Sequence, residues 1–341
     1  MLRSEAVRER AGTLAALVAL VLVAVVAGGC AGSGGSGGSR SGSAGSAGSR
    51  PAASSSPRPT AVVTPTSDPG TARLQALAQL AEKAATAVPT RAAPSPRADR
   101  SDPLLGADIG WPQCPRGLGI PQRRTLGLPM PDASARFVVV GLTNGPGFTA
   151  NPCLDAQVAW IRSHHVLAAA YAVVSLPSAE QVAEHGGRGP FDAGTRLGRL
   201  ADAGYQQALF AVTLMRRAGL DPPTVWLDVE HVPDFEWSGD REANAAVVQG
   251  AAAGYADAGY RVGVYSTPSI WADVVGRLAL GLPEWRPAGE SSRAAALARC
   301  GADWRVQGGP AVLVQWVDGS RDRDVTCPGA ATRLTRWFRQ Y

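Results

Sequence analysis

Several things the sequence lacks narrow its reading before anything it contains. No Gly-rich phosphate loop follows the first strand-like segment, which argues against nucleotide binding. There is no C-x₂-C unit, and the 4 His do not gather near the Cys residues, so a zinc site has little support. The C-terminal two-thirds carries no excess of positive charge. Residues 1–100 hold 11 Lys/Arg against 5 Asp/Glu, the remainder 22 against 23, so the two parts carry +6 and −1. The basic character belongs to the N-terminal tail, and no nucleic-acid surface is expected on the globular part. Large apolar side chains are nearly missing from residues 31–67, which are Gly, Ser, Ala, Pro and Thr with scattered Arg. Such a stretch cannot bury enough surface to offset its ordering entropy and is expected to be a disordered linker.

The linker extends over residues 31–103, with Leu74, Leu77, Leu80 and Val88 hinting at one short helix near 72–88. Ahead of it, Arg3, Arg8 and Arg10 precede an apolar run from Leu14 to Val26 and then Ala27-Gly28-Gly29-Cys30. A charged start, a short apolar segment and small residues before a cysteine make an export signal rather than a membrane span. Residues 1–30 resemble a bacterial lipoprotein signal, which implies cleavage before Cys30 and lipidation of its thiol. The resemblance implies an exported protein, held by its lipid on the outer face of the bacterial cell membrane. Seventy residues of flexible chain reach about 45 Å, enough to hold a domain off that surface. Of the 5 Cys, this leaves Cys114, Cys153, Cys300 and Cys327. An even set in an exported chain suggests disulfides, and the expected pairs are the sequence neighbours, Cys114–Cys153 and Cys300–Cys327.

About 240 residues from Ser101 onward suffice for one large core. From Gly106 strand and helix patterns alternate. Apolar strand segments occur at 106–110, 136–142, 166–174, 224–230, 260–266, 282–285, 311–316 and 322–325. Helical spacing fills 154–163, 197–215 and 242–258. This is the α/β signature. About eight strands in that length favour a (β/α)-type TIM barrel with fewer than eight regular helices, spanning 104–341.

The most informative segment is Thr224-Val225-Trp226-Leu227-Asp228-Val229-Glu230-His231. Alternation along a strand puts Trp226, Asp228 and Glu230 on one face and Val225, Leu227 and Val229 on the other. Two carboxylates then share one wall at the strand's C-terminal end, their Cα atoms about 6.5–7 Å apart. Such a pair costs stability through repulsion and desolvation, and it serves acid/base chemistry or a metal, unless it is only an exposed acidic loop. In TIM barrels the C-terminal strand ends form the active site. Those ends here carry Asp108, Asn144, Asp228, Glu230, Tyr265, Trp285, Gln315, Trp316 and Asp324. Acids, amides and aromatic rings converging on one mouth suit a sugar polymer.

In the order of its motifs, the stretch 106–328 resembles the family 25 glycoside hydrolases, the lysozyme-like muramidases. Gly106-Ala107-Asp108-Ile109 is similar to the family's opening G-x-D-[IV]-S strand, and Gln206-Gln207-Ala208 with Phe210 to its Q-A-x-x-F helix. Leu227-Asp228-Val229-Glu230 matches its L-D-x-E strand, the most specific element. Gly263-Val264-Tyr265-Ser266 resembles G-x-Y-[ST], Gln315-Trp316 resembles Q-[YW], and Asp324 the acid of V-D-x-N. The chain departs from the pattern at Trp111-Pro112-Gln113-Cys114, at Thr143-Asn144-Gly145 where the family has T-E-G, and at Thr326 in place of the closing Asn. A related group of glycoside-hydrolase-like barrels in exported bacterial proteins resembles the chain in outline, with D-x-D in its acidic strand.

The resemblance implies hydrolysis of β-1,4 bonds in peptidoglycan by a monomer that needs no cofactor or metal. Glu230 would be the general acid, with its pKa raised by burial and by Asp228, Asp108 and Asp324. Asp228 would stabilise positive charge at the anomeric carbon, directly or by orienting an N-acetyl group. Asp108, Asn144, Tyr265, Trp285, Gln315, Trp316 and Asp324 would bind substrate. Two other readings stand beside this one. The changed loops fit a non-catalytic glycan-binding or scaffold barrel at the cell envelope. Asp228, Glu230 and His231 would form a metal-dependent site if the strand ended before His231.

Overall fold

The structure is a computed structural model and describes residues 103–341. The expected signal segment, Cys30 and almost all of the linker lie outside the described residues. Eight strands form the sheet: β1 (Leu105–Ile109), β2 (Phe137–Gly141), β3 (Leu167–Val173), β4 (Thr224–Asp228), β5 (Arg261–Tyr265), β6 (Glu284–Glu290), β7 (Ala311–Asp318) and β8 (Arg321–Thr326). Their order is β2-β1-β8-β7-β6-β5-β4-β3, and β2 also pairs with β3, which closes the barrel. A short β9 (Arg339–Gln340) adds antiparallel to the start of β3. Six α-helices are present among the described residues: α1 (Leu154–His164), α2 (Ala179–His185), α3 (Arg196–Arg217), α4 (Arg241–Asp257), α5 (Pro268–Val275) and α6 (Arg293–Ala298). The expected barrel with fewer than eight helices is therefore what forms.

One strand departs from the all-parallel plan. β8 runs antiparallel to both its neighbours, β7 and β1. Only Gly319 and Ser320 separate β7 from β8, and Asp318 pairs with Arg321 across them. Two residues close a hairpin, whereas a parallel return needs a dozen or more. Gly319 adopts φ +66°, a left-handed conformation suited to this tight turn.

Alternation sorts the side chains of every strand. Facing the helices are Val138, Val140, Ala168, Ala170, Val225, Leu227, Val262 and Val264, all buried. Facing inward are Phe137, Val139, Ala169, Trp226, Trp285 and Leu313. The large indole of Trp226 fits because β5 offers Gly263 opposite it, where a Cβ would lie 2.3 Å from the ring. The C-terminal tail stoppers the end of the barrel away from the strand C-termini. Phe338 packs 4.5 Å from Phe137, and Trp337 lies 6.3 Å from Trp226, centroid to centroid.

Helix starts follow their caps: Thr195 accepts from the Gly198 amide before α3, and Asp240 accepts from Glu242 and Ala243 before α4. These two long helices meet backbone to backbone. A Cβ on Gly250 would fall 1.8 Å from the Ala201 carbonyl oxygen, so only glycine allows this approach. Both expected disulfides form, Cys114–Cys153 and Cys300–Cys327.

Candidate active site

β4 delivers Asp228 to the mouth on the same inward face as Trp226, as alternation requires. Glu230 lies two residues beyond, past the end of the strand proper. The chain there is still held. The Val229 amide donates to the Tyr265 carbonyl (3.0 Å), the Ser266 hydroxyl donates to the Val229 carbonyl (2.7 Å), and the Trp237 indole donates to the Glu230 carbonyl (2.9 Å). Glu230 therefore keeps its place without ladder pairing of its own.

Around this pair, inward positions of the other strands supply a polar ring. Gln315 on β7 donates to Asp108 on β1 (2.6 Å) and accepts from the Tyr265 hydroxyl on β5 (2.7 Å). The Trp285 indole on β6 donates to Asp324 on β8 (2.8 Å). Burial pushes the carboxyls of Asp108, Asp228 and Asp324 well above the ordinary range. The charges of Asp322 and Asp324 add to the effect at Asp108, and Glu230 adds to it at Asp228. Glu230 itself is pushed up to about 7, mainly by burial. The positive charge of Arg123 opposes that rise and the negative charge of Asp322 assists it. Burial acts on Glu230 as expected, and the repulsion between Asp228 and Glu230 is present in the rise at Asp228; the acid on β8 that acts on Glu230 is Asp322 rather than Asp324, and Asp108 is not among its causes. One oxygen of Asp228, Oδ1, is buried with no hydrogen-bond partner among the described residues.

The structure brings Asp108, Asp228, Glu230, Tyr265, Gln315 and Asp324 together as read from the sequence. Trp285 joins them as a floor: it is buried, and its ring meets Tyr265 edge-on at 4.5 Å, so it does not offer an open stacking face. Trp316 is not at the mouth. It follows Gln315 directly, so alternation turns it to the outer wall, against Ala296, Val325 and Cys327. Asn144 is fully buried, and its amide donates to the Arg123 carbonyl (3.2 Å), so it props the loop after β1 from beneath. His231 turns away from the acid pair, its Nε2 3.2 Å from an oxygen of Asp273. Among the described residues no three His, Cys, Asp or Glu are grouped to hold a metal.

Three groups escaped the sequence reading. Asp322 is on β8, two residues before Asp324 and on the same face, and its carboxyl is raised to about 6 by burial. Because β8 is antiparallel, its N-terminal end opens on the mouth, so Asp322 stands nearer the rim than Asp324. The spacing D-x-D was visible, but the direction of the strand was not. Tyr171 is an inward residue of β3, two before its end, and its hydroxyl is kept protonated by burial and by the charges of Asp108 and Asp228. Arg123 comes from a 3₁₀ turn, Pro121–Arg123, in the long loop after β1, where no periodicity points to function.

Residues 198–284 match the family model described as Lysozyme-like protein 1. A probable GH family 25 lysozyme 4 of Dictyostelium discoideum is 40% identical over 52 residues, 15% of this chain. The chain spans 23% of the length of that curated relative. Among solved structures, a glycosyl hydrolase 25 of Streptococcus pneumoniae participating in host cell invasion is 13% identical. The alignment covers 78% of this chain and 98% of that one, with a TM-score of 0.44. The bacterial lysozyme from Streptomyces coelicolor is 17% identical over 68% of this chain and 95% of that one, with a TM-score of 0.42. At those scores the barrel assignment rests on this chain's own strand pairing. The matched segment 198–284 runs from α3 through Asp228 and Glu230 to the first residue of β6, and over it the chain is lysozyme-like, as its resemblance to the family 25 lysozymes implied.

Proposed function

We propose that the barrel is a glycoside hydrolase that cleaves β-1,4 bonds in peptidoglycan. The observation that carries this is the pairing of two differently placed acids. Glu230 is held at about 7, and beside it Asp228 keeps a buried oxygen without a partner. A carboxyl at about 7 is protonated often enough near neutrality to give its proton to the leaving oxygen. A buried acceptor with no partner is costly until a ligand supplies a donor. The N–H of an acetamido group on the sugar is such a donor, and by accepting it Asp228 would hold the carbonyl oxygen toward the anomeric carbon. Asp108 and Gln315, tied together and to Tyr265, fix the wall that receives the ring hydroxyls.

The test is release of soluble muropeptides with new reducing ends when the purified protein is given wall material. Release is expected to fall as pH rises past about 7, approaching tenfold per unit, because the acid form of Glu230 is then depleted. No release at any pH between 4 and 8 rules hydrolysis out.

A second reading is favoured by Asn144. Where the related motif carries a carboxylate, this chain has an amide spent on the Arg123 carbonyl, which fits a barrel that binds glycan without cutting it. Sedimentation with wall material but no release of product selects that reading.

The finer placement, a protein tethered to the outer face of the membrane through a lipid on Cys30, is part of the same proposal. Its support is the run from Leu14 to Cys30 and the linker that follows. The expected result is co-fractionation with membranes that Cys30→Ala abolishes; a Cys30→Ala protein that still fractionates with membranes removes the lipid from the proposal.

A further inference from the structure

The mouth carries one feature that acid catalysis does not use. Arg123 is held firmly by its backbone and left free at its tip. Its amide donates to the Ile120 carbonyl (3.0 Å), and its carbonyl accepts from Asn144 (3.2 Å). Its aliphatic stem lies over Gly145, where a Cβ would come within 3.3 Å of it, and its guanidinium sits 5.4 Å from the centre of the Trp111 ring. Yet no guanidinium N–H of Arg123 has an acceptor in hydrogen-bonding range among the described residues, and no carboxylate lies within ion-pair distance. The neighbouring Arg124 differs: it spends its donors on the carbonyls of Gly117 and Gly119. The loop is built to keep this arrangement. Cys114 is bonded to Cys153 at the head of α1, and the buried Thr125 hydroxyl ties the Leu118 amide to the Pro115 carbonyl.

The charge around Arg123 gives it meaning. Asp108, Asp228, Glu230, Asp322 and Asp324 line the same mouth, and Arg123 is the cation whose charge acts on both Asp228 and Glu230. An anionic ligand entering such a ring would meet only acids and neutral groups were it not for this fork. A planar guanidinium with unspent donors matches a carboxylate in two parallel bonds, and stacking on an indole pre-orients it at little entropic cost.

We propose that Arg123 is a specificity-determining residue that binds a carboxylate carried by the glycan next to the bond to be cleaved. The inference rests on the peptidoglycan reading above and deepens it by naming the residue that would meet a carboxylate of that polymer. Two sources offer that chemistry, a lactyl carboxylate on the sugar and a carboxylate of an attached peptide.

The experiment is calorimetric titration of the full chain and its Arg123→Gln variant with three probes. These are chitohexaose, glycan strands stripped of peptide so that lactyl carboxylates are free, and strands that keep their peptides. The wild-type chain is expected to prefer at least one carboxylate-bearing probe over chitohexaose. Arg123→Gln should lower that preference about ten- to a hundredfold, the usual weight of a charge-assisted pair. Arg123→Lys should recover part of it, since charge is kept while the fork is lost. A drop confined to the stripped strands assigns the sugar carboxylate, and one confined to the peptide-bearing strands assigns the peptide. Because all probes meet the same sample, partial unfolding lowers every affinity and leaves the ratio intact. An unchanged ratio overturns the proposal. Binding without product release would sink hydrolysis and leave this assignment standing, so the two failures are told apart.

Discussion

Glu230→Gln is expected to cut muropeptide release about 10²–10⁴-fold while making the protein harder to unfold above neutral pH. The first half follows from position: Glu230 is the acid at the open end of the Asp228 face, and its carboxyl is raised to about 7. Glutamine keeps the shape and removes the proton. The second half follows from the same shift. In the unfolded chain this carboxyl ionises near its ordinary value of 4.5, whereas in the folded chain it resists ionisation until about 7. The stability it allows is present in full below about pH 4.5, is lost progressively as pH rises, and is gone above about 7. The interval corresponds to roughly 3 kcal/mol at most. A neutral amide carries no such penalty, so the variant should melt above the wild-type protein at pH 8 and close to it at pH 4.5. Melting curves at the two pH values, read beside product assays, separate lost chemistry from lost folding. A variant that retains wild-type release removes Glu230 from the proposed role.

Loss of the disulfides should have the largest effect on stability. They close loops of 39 and 27 residues, for which chain entropy gives about 4 kcal/mol each. Cys300→Ser with Cys327→Ser frees the end of β8 from the segment after α6. Cys114→Ser with Cys153→Ser frees the loop that carries Arg123 from α1. Each pair should lower the melting temperature by roughly 8–16 °C, given about 2–4 °C per kcal/mol for a domain this size. The variants are expected to differ in one respect: only the second should also weaken the preference for carboxylate-bearing glycan, because it loosens Arg123. Melting temperatures within about 2 °C of the wild-type protein for both pairs would show that the barrel does not depend on its cross-links.

The barrel was largely legible in the sequence because its strands are short apolar runs in regular alternation with helices. Seven of the eight core strands coincide closely with the runs read from 106–110 through 322–325, whereas β6 shares only Glu284 and Trp285 with its expected segment at 282–285 and runs on to Glu290. The acid pair was legible for a more local reason, since a period of two needs no tertiary information. What escaped depends on direction or on loops. Trp316 was placed with Gln315 at the mouth although adjacent residues face opposite ways, and the structure buries it on the outer wall. Asp322 was missed because the short gap before it was not read as a hairpin that reverses β8. Arg123 and the propping role of Asn144 belong to a loop fixed by long-range bonds, which leave no periodic trace. The short helices α2, α5 and α6 span 7, 8 and 6 residues, about two turns each, too short for a helical period to stand out.

The reversed β8 also governs when the barrel can form. β1 and β8 are neighbours in the sheet, and the Leu104 amide donates to the Thr326 hydroxyl across 222 residues of sequence. From β1 to β7 each strand can join the preceding one as the chain grows. Throughout that time the free edges of β1 and β7 remain exposed, and exposed edges invite pairing with other chains. Closure waits for the last hairpin, which must satisfy both edges at once, and contacts of such separation form slowly. A chain ending before Arg321 would thus be an open sheet with two sticky margins, and the final twenty-one residues serve assembly as much as architecture.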